Sequence, residues 1–402
     1  MGEVMFRIAA IAALFLAMPA AAKTIHVDAG PNAQERLQAA LIEAEPGDVV
    51  EIGAGRFDLT DGLSLDVDRV TVRGAGPDRT VLSFKGQLGA GEGLLVTSDD
   101  VVLRGFAVED SRGDGIKSKG ADRIVYKDIR VEWTGGPKAT NGAYGVYPVE
   151  SKFVLIDGVT VIGASDAGIY VGQSEQIIVR NSVARGNVAG IEIENSRHAD
   201  VHDNLATHNT GGILVFDLPN LPVMGGGYVN VYRNRVIDND TPNFAPPGNI
   251  VASVRKGTGV LIMANDQVWV IGNDMSGNAT SNIMVISYRQ PFTDTRYNPY
   301  PRHIVVAENK HGRAGYEPQF PAGDQLAAAF GGSIPPVLWD GTGDSKQLGL
   351  VFLDDAPILN LNLALAAPVE TAKPAPMERA GMVETAKPVL VVLPASMEAA
   401  AQ

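Results

Sequence analysis

The stretch GIEIE, residues 190–194, sets two carboxylates, Glu192 and Glu194, two positions apart. In an extended chain that spacing puts both on one face. A carboxyl group beside a second acid and an aromatic ring can have a raised pKa and serve as a general acid or base. Six further stretches share the form of a Gly or Asn followed by alternating residues: GIKSK (115–119), GVYPV (145–149), GIYVG (168–172), GILVF (212–216), GVLIM (259–263) and NIMVI (282–286). Alternation turns the second and fourth residues of each inward and the third and fifth outward. The first outward row then reads Lys117, Tyr147, Tyr170, Glu192, Leu214, Leu261, Met284. The second reads Lys119, Val149, Gly172, Glu194, Phe216, Met263, Ile286. Lys117, Tyr170 and Glu192 are the candidate catalytic groups. Tyr144, Tyr147, Glu194 and Lys119 are the candidate substrate-binding groups. Tyrosine rings stack on sugars, acids and lysines bond hydroxyls, and Lys117 could neutralise an acidic sugar. An ordinary solvated face also carries such residues.

The apolar half of both rows, Leu214, Phe216, Leu261, Met263, Met284 and Ile286, is too large for a wet surface. Residues 337–366 contain LGLVFL and PILNLNLAL, and these are expected to lie over it. An apolar ligand or a partner protein is the alternative occupant.

These rows exist only if the chain repeats. A Val-x-x-Asn/Ser frame with a further Asn five residues on occurs at Val179…Ser182…Asn187, Val201…Asn204…Asn209, Val231…Asn234…Asn239 and Val270…Asn273…Asn278. Val306…Asn309 carries its first half, and Leu103…Phe106, Tyr126…Ile129 and Ile156…Val159 carry apolar versions. The basic unit is 22–23 residues, with insertions. Short β-branched runs broken by Gly, Asn and Asp make each unit a coil of three strands. The reading is all-β: a single right-handed parallel β-helix of about nine coils between Val50 and Asn309. The Asn residues would stack inward as a hydrogen-bonded ladder, because a buried amide must be paired. Leu37, Ala40 and Leu41 at helical spacing predict a short N-terminal helix capping the first coil. Insertions at 134–142, 217–228, 240–257 and 289–302 would wall the outward face into a groove suited to an extended polymer.

Residues 1–22 read as a signal peptide: Arg7, an apolar run from Ile8 to Met18, then Ala20–Ala22. This places the protein in the periplasm or outside the cell, without a membrane span. The β-helix is assigned to 23–320, a C-terminal segment packing on it to 321–366, and a low-complexity tail without ordered structure to 367–402, where ETAKP occurs twice and VLVVL (389–393) is sticky. The chain has no Cys, which excludes disulfides, thiol catalysis and thiolate metal sites. The net charge of −13 argues against nucleic acid and anionic membranes. His198, His202 and His208 lack a helical metal spacing, and neither a metal nor a cofactor is expected.

The stretch GAYGVYPVESKFVLIDGVTVIGASDAGIYVGQSEQIIVRNS (142–182) resembles an exported bacterial parallel β-helix repeat family of unknown function, and the likeness spans about 23–366. The resemblance implies a secreted c-type-cytochrome-like partner. Its wider relatives imply carbohydrate binding, a polysaccharide lyase, epimerase or hydrolase activity, or a periplasmic accessory role for a copper enzyme. Tyr144, Gly145 and Pro148 match the Tyr-Gly-x-Asp-Pro-His strand of mannuronan C5-epimerases, but Tyr147 and Val149 stand where its Asp and His would be. The sequence thus favours an exported protein that binds an extended glycan or a partner protein, with the enzyme and the accessory factor as alternatives.

Overall fold

The computed structural model describes residues 22–379 and 387–402; the expected signal peptide falls almost wholly outside them. The chain winds as a right-handed β-helix with three parallel sheets. The first sheet has twelve strands, from Thr24–Val27 to Val351–Phe352. The second has ten, from Gly55–Asp58 to Lys310–His311. The third runs in parallel from Leu63–Leu65 to Ile358–Asn360, with Ala375–Pro376 added antiparallel at its end. The coils therefore extend past the expected nine at both ends.

Eight successive coils turn from the first sheet to the second through one residue in the left-handed region. Gly105, Asp128, Gly158, Asn181, Asp203, Arg233, Gly272 and Glu308 hold this place, with φ between 51° and 70°. One such residue redirects the chain without a long loop. The next residue points inward: Phe106, Ile129 and Val159 in the early coils, Ser182 in the next, and Asn afterwards. The ladder forms as expected. Asn204 Nδ2 donates to Asn234 Oδ1, Asn234 Nδ2 to Asn273 Oδ1, and Asn273 Nδ2 to Asn309 Oδ1, each at 3.0 Å. The same oxygens also accept the backbone N–H of the residue below. A second ladder runs through Asn187, Asn209, Asn239 and Asn278.

The helix Ala33–Glu43 buries Leu37, Ala40 and Leu41 against the first coil, which would otherwise leave apolar interior open. At the other end, Val337–Trp339 and Ile358–Asn360 pair onto the third sheet as further rungs. They lengthen the sheet instead of lying across its apolar rows as expected, because their backbone groups complete the edge left by Ser281–Ile286. The tail also differs from the compositional reading. Leu393 and Met397 pack on Val125, Leu155 and Ile178 of the first sheet's outer face. Arg180 holds Glu398 through two hydrogen bonds of 3.1 and 2.7 Å, and Val391 N–H donates to Asp200. Composition missed this because one apolar strip and one ion pair suffice to dock a short segment.

Two outcomes test these contacts. Asn234→Leu removes the acceptor of two buried donors of Asn204 and should lower the unfolding free energy by ~2–4 kcal/mol; denaturant titration measures it. A chain ending at Arg379 should lose ~2–3 kcal/mol and bind an apolar dye, since Leu393 and Met397 no longer cover their strip.

Candidate functional site

Strand pairing on the third sheet sets Lys117 beside Tyr147, Tyr170 beside Glu192, Glu192 beside Leu214, Leu214 beside Leu261 and Leu261 beside Met284. It also sets Lys119 beside Val149, Val149 beside Gly172, Gly172 beside Glu194, and Glu194 beside Phe216. The two outward rows are those expected from alternation.

Six of the seven candidate residues gather into one aromatic and acidic cluster. The rings of Tyr144, Tyr147 and Tyr170 lie 4.5–4.9 Å apart. Lys117 Nζ sits 4.9 Å over the Tyr147 ring. Tyr170 OH donates to Glu194 Oε1 at 2.7 Å. Gly172 makes this bond possible: a Cβ there would come within 2.4 Å of the Tyr170 ring. Glu192 joins the cluster as the strand neighbour of Tyr170. Lys119 stays apart, exposed, with Glu150 at 4.0 Å.

The structure departs from the expected open groove. Tyr170, Glu192 and Glu194 are only 4%, 1% and 7% exposed. Residues from the loops at 217–228, 240–257 and 287–301 cross the outer face, and Val251, Val254, Tyr288 and Tyr297 pack on Leu214, Phe216, Leu261 and Met263 as a second core. These loops, more than residues 337–366, cover the apolar rows. Asn243 ties one loop to itself through the carbonyls of Val251 and Val254. Tyr297 OH donates to the Asp217 carbonyl at 2.6 Å, joining two others. Tyr144, Tyr147 and Lys117 remain half-buried at the open end.

Two acids of the site were missed in the rows because they precede the strand interior. Asp166 accepts from Asn249 Nδ2 at 2.8 Å, which latches the 240–257 loop over the carboxyls. Asp114 lies 3.9 Å from Lys117 Nζ and accepts from the Tyr144 N–H. The available signal was an acid just before the Gly of a rung, as in Asp114-Gly115 and Asp166-Ala167-Gly168.

Burial dominates the electrostatics. It pushes Asp166 up to about 7, with the Glu194 charge adding to it. It pushes Asp114 up to about 6 against the pull of Lys117. Glu192 stands well above the usual carboxylate range, through burial and then the charges of Glu194 and Asp166. Glu194 is raised by burial and held back by hydrogen bonds from Tyr170 and Glu192. Of the two, Glu192 is pushed further toward its neutral form, and its Oε2 has no hydrogen-bonding partner among the described residues. The tyrosines stay phenolic: burial pushes Tyr147 up to about 12 and Tyr144 and Tyr170 well above 10. The histidines do not converge. His202 pairs with Asp203 and His208 with Asp240, while His198 stacks on Tyr228.

The raised carboxyls carry a sign. The folded state holds protons that the unfolded chain releases near pH 4, so folding at this cluster is favoured at low pH and loses stability as pH rises toward about 7. Asp166→Asn should be more stable than the wild type at pH 8, on the order of 1–2 kcal/mol, with the gap closing by pH 4. Thermal unfolding across pH measures this.

The sequence profile described as "Right handed beta helix region" matches residues 67–223. No curated protein matches the chain in sequence. Among solved structures, the A-module of a mannuronan C-5 epimerase from Azotobacter vinelandii superposes with a TM-score of 0.55 at 14% identity, over 82% of this chain and 92% of that one. A family 28 exopolygalacturonase from Yersinia enterocolitica gives 0.52 at 11% identity, over 84% and 70%. A polygalacturonase from Erwinia carotovora gives 0.51 at 13% identity, over 73% and 93%. At these identities the likeness is one of fold, and with the sheet topology it makes the chain a right-handed parallel β-helix, the architecture of these carbohydrate-active proteins.

Proposed function

We propose that the protein binds an extended, uncharged glycan at the half-buried end of its third sheet, with Tyr147 and Tyr144 as the stacking platform. The observation that carries this reading is the contiguous three-tyrosine cluster flanked by Lys117, at the open end of a roofed face. Stacked phenol rings present apolar faces to sugar C–H groups. The fold of the epimerase and the polygalacturonases supports a polysaccharide over other polymers.

The charge pattern favours a neutral sugar. Lys117 is already paired with Glu92 at 3.2 Å and Asp114 at 3.9 Å, so the expected neutralisation of an acidic sugar has no free cation behind it. The net charge of −13 points the same way. No described helix is long and apolar enough to cross a membrane.

One observation favours a carbohydrate-active enzyme as the second reading. Glu192 and Glu194 are adjacent buried acids, both raised and Glu192 the further, an arrangement that can separate an acid from a base. They would reach a sugar only if the Asn249 latch on Asp166 opened. Val149, in the position of the epimerase His, is apolar and buried, so the epimerase mechanism does not transfer. The cytochrome-like or copper-enzyme partner rests on resemblance alone.

A polysaccharide array, scored for binding and for released product, decides between these. Tyr147→Ala should weaken neutral-glycan binding roughly tenfold, one aromatic contact being worth about 1.4 kcal/mol. Glu192→Gln and Tyr170→Phe should leave that binding intact if the protein is a binding module. Product release by the wild type, lost in Glu192→Gln with binding retained, would establish the enzyme. A wild type that binds no neutral glycan would end the proposal.

A further inference from the structure

At the C-terminal end of the same face the second core is not filled. A pocket of about 240 Å³, open to solvent on one side, lies between the sheet and its roof. Its floor is the apolar half of the outward rows, Leu261, Met263, Met284 and Ile286, extended one rung by Leu338. Val254, Tyr288 and Phe320 flank it from the loop side. The sequence showed that these outward residues need cover. The structure adds that the cover leaves a space.

One end of this space is polar. Ser287, 1% exposed, lines the cavity, and its Oγ has no hydrogen-bonding partner among the described residues. A buried hydroxyl left unpaired is costly and marks a place where a partner is missing. Asp340, 2% exposed, lines the cavity beside it. Its carboxyl accepts the N–H of Ser287 at 2.7 Å and of Thr342 at 3.0 Å. Each of those oxygens has a second lone pair that can accept from a ligand. The two arginines that line the space do not compete for this end. Arg289 donates to the carbonyls of Leu365 and Ala367, and Arg255 is exposed.

The chemistry of an occupant follows from these walls. Water alone does not suit a space this size with so few polar groups, since a buried water takes two to four polar partners. An apolar cavity of about 150 Å³ accepts benzene, so this one has room for a body of roughly eight to ten heavy atoms. The head must donate a hydrogen bond to Asp340 and pair with Ser287. A carboxylate head would bring a second negative charge to Asp340, and an ammonium head would have to give up its water among apolar side chains. A hydroxyl meets both conditions. We infer that this cavity is a binding site for a small uncharged amphiphile, a medium-chain or aromatic alcohol, with its body between the outward rows and the loops and its hydroxyl on Ser287 and Asp340. The site is separate from the tyrosine platform and does not depend on the glycan reading.

The test is calorimetric titration of the full chain with 1-hexanol, 1-octanol, 1-decanol and octanoate. One saturable site for octanol is expected, with octanoate at pH 8 at least tenfold weaker. Ser287→Ala should weaken octanol roughly five- to tenfold, the loss of one hydrogen bond. Met284→Trp and Ile286→Phe fill the space from the floor and should abolish octanol binding. Circular dichroism and the melting temperature identify which of the two keeps the fold, and the folded one is scored. Absence of saturable binding by the wild type with any of the alcohols would overturn the inference. Undiminished octanol binding in the folded filling variant, or in Ser287→Ala, would overturn it as well.

Discussion

The inward asparagine ladder fixes the vertical register of the central coils. Each Asn oxygen in it accepts a side-chain N–H and a backbone N–H from the coil below, so a slip of one residue would strand several buried donors at once. Because register is fixed inside, it is fixed outside. Glu192 lies beside Tyr170 and Glu194 beside Gly172 in the coils that lead into the ladder. The left-handed residue before each ladder position turns these coils at the same point and keeps the three sheets in phase.

On that frame the third sheet is buried on both sides. Its inner face belongs to the β-helix interior, and most of its outer face belongs to a second core built by inserted loops. The consequence differs along the sheet. Where the outward rows are apolar, the loops roof them in part and leave a pocket. Where the rows are acidic, the same roof desolvates the carboxyls, and Asp166, Glu192 and Glu194 compensate by sharing protons and accepting hydrogen bonds from Tyr170 and Asn249. The tyrosine and lysine end stays partly open as well, and this divides one face into a polar platform and an apolar pocket.

The repeat was legible because it is local. A Val-x-x-Asn frame every 22 or more residues states the coil, the inward ladder and the two outward rows, since alternation and stacking follow from backbone geometry alone. The choice of Glu192, Tyr170, Tyr147 and Lys117 as neighbours came from the same arithmetic, and the Tyr147 ring does meet Tyr170 and Lys117. The capping helix was equally readable from Leu37, Ala40 and Leu41.

What the sequence could not state was where the insertions go. Loops lack a period, so nothing in residues 240–257 announces that Asn249 reaches Asp166, or in 287–301 that Tyr297 reaches the Asp217 carbonyl. Those long-range contacts, formed only when the coils are stacked, turned an expected open groove into a roofed one and buried Glu192. They also decided the fate of the C-terminal residues, where the sticky VLVVL run did not say that Leu393, Met397 and Glu398 would dock on the first sheet. The sequence by itself determined the coil and the order of side chains along each face, because both depend on backbone periodicity. Tertiary structure alone decided which of those side chains meet solvent, because burial depends on segments distant in the chain.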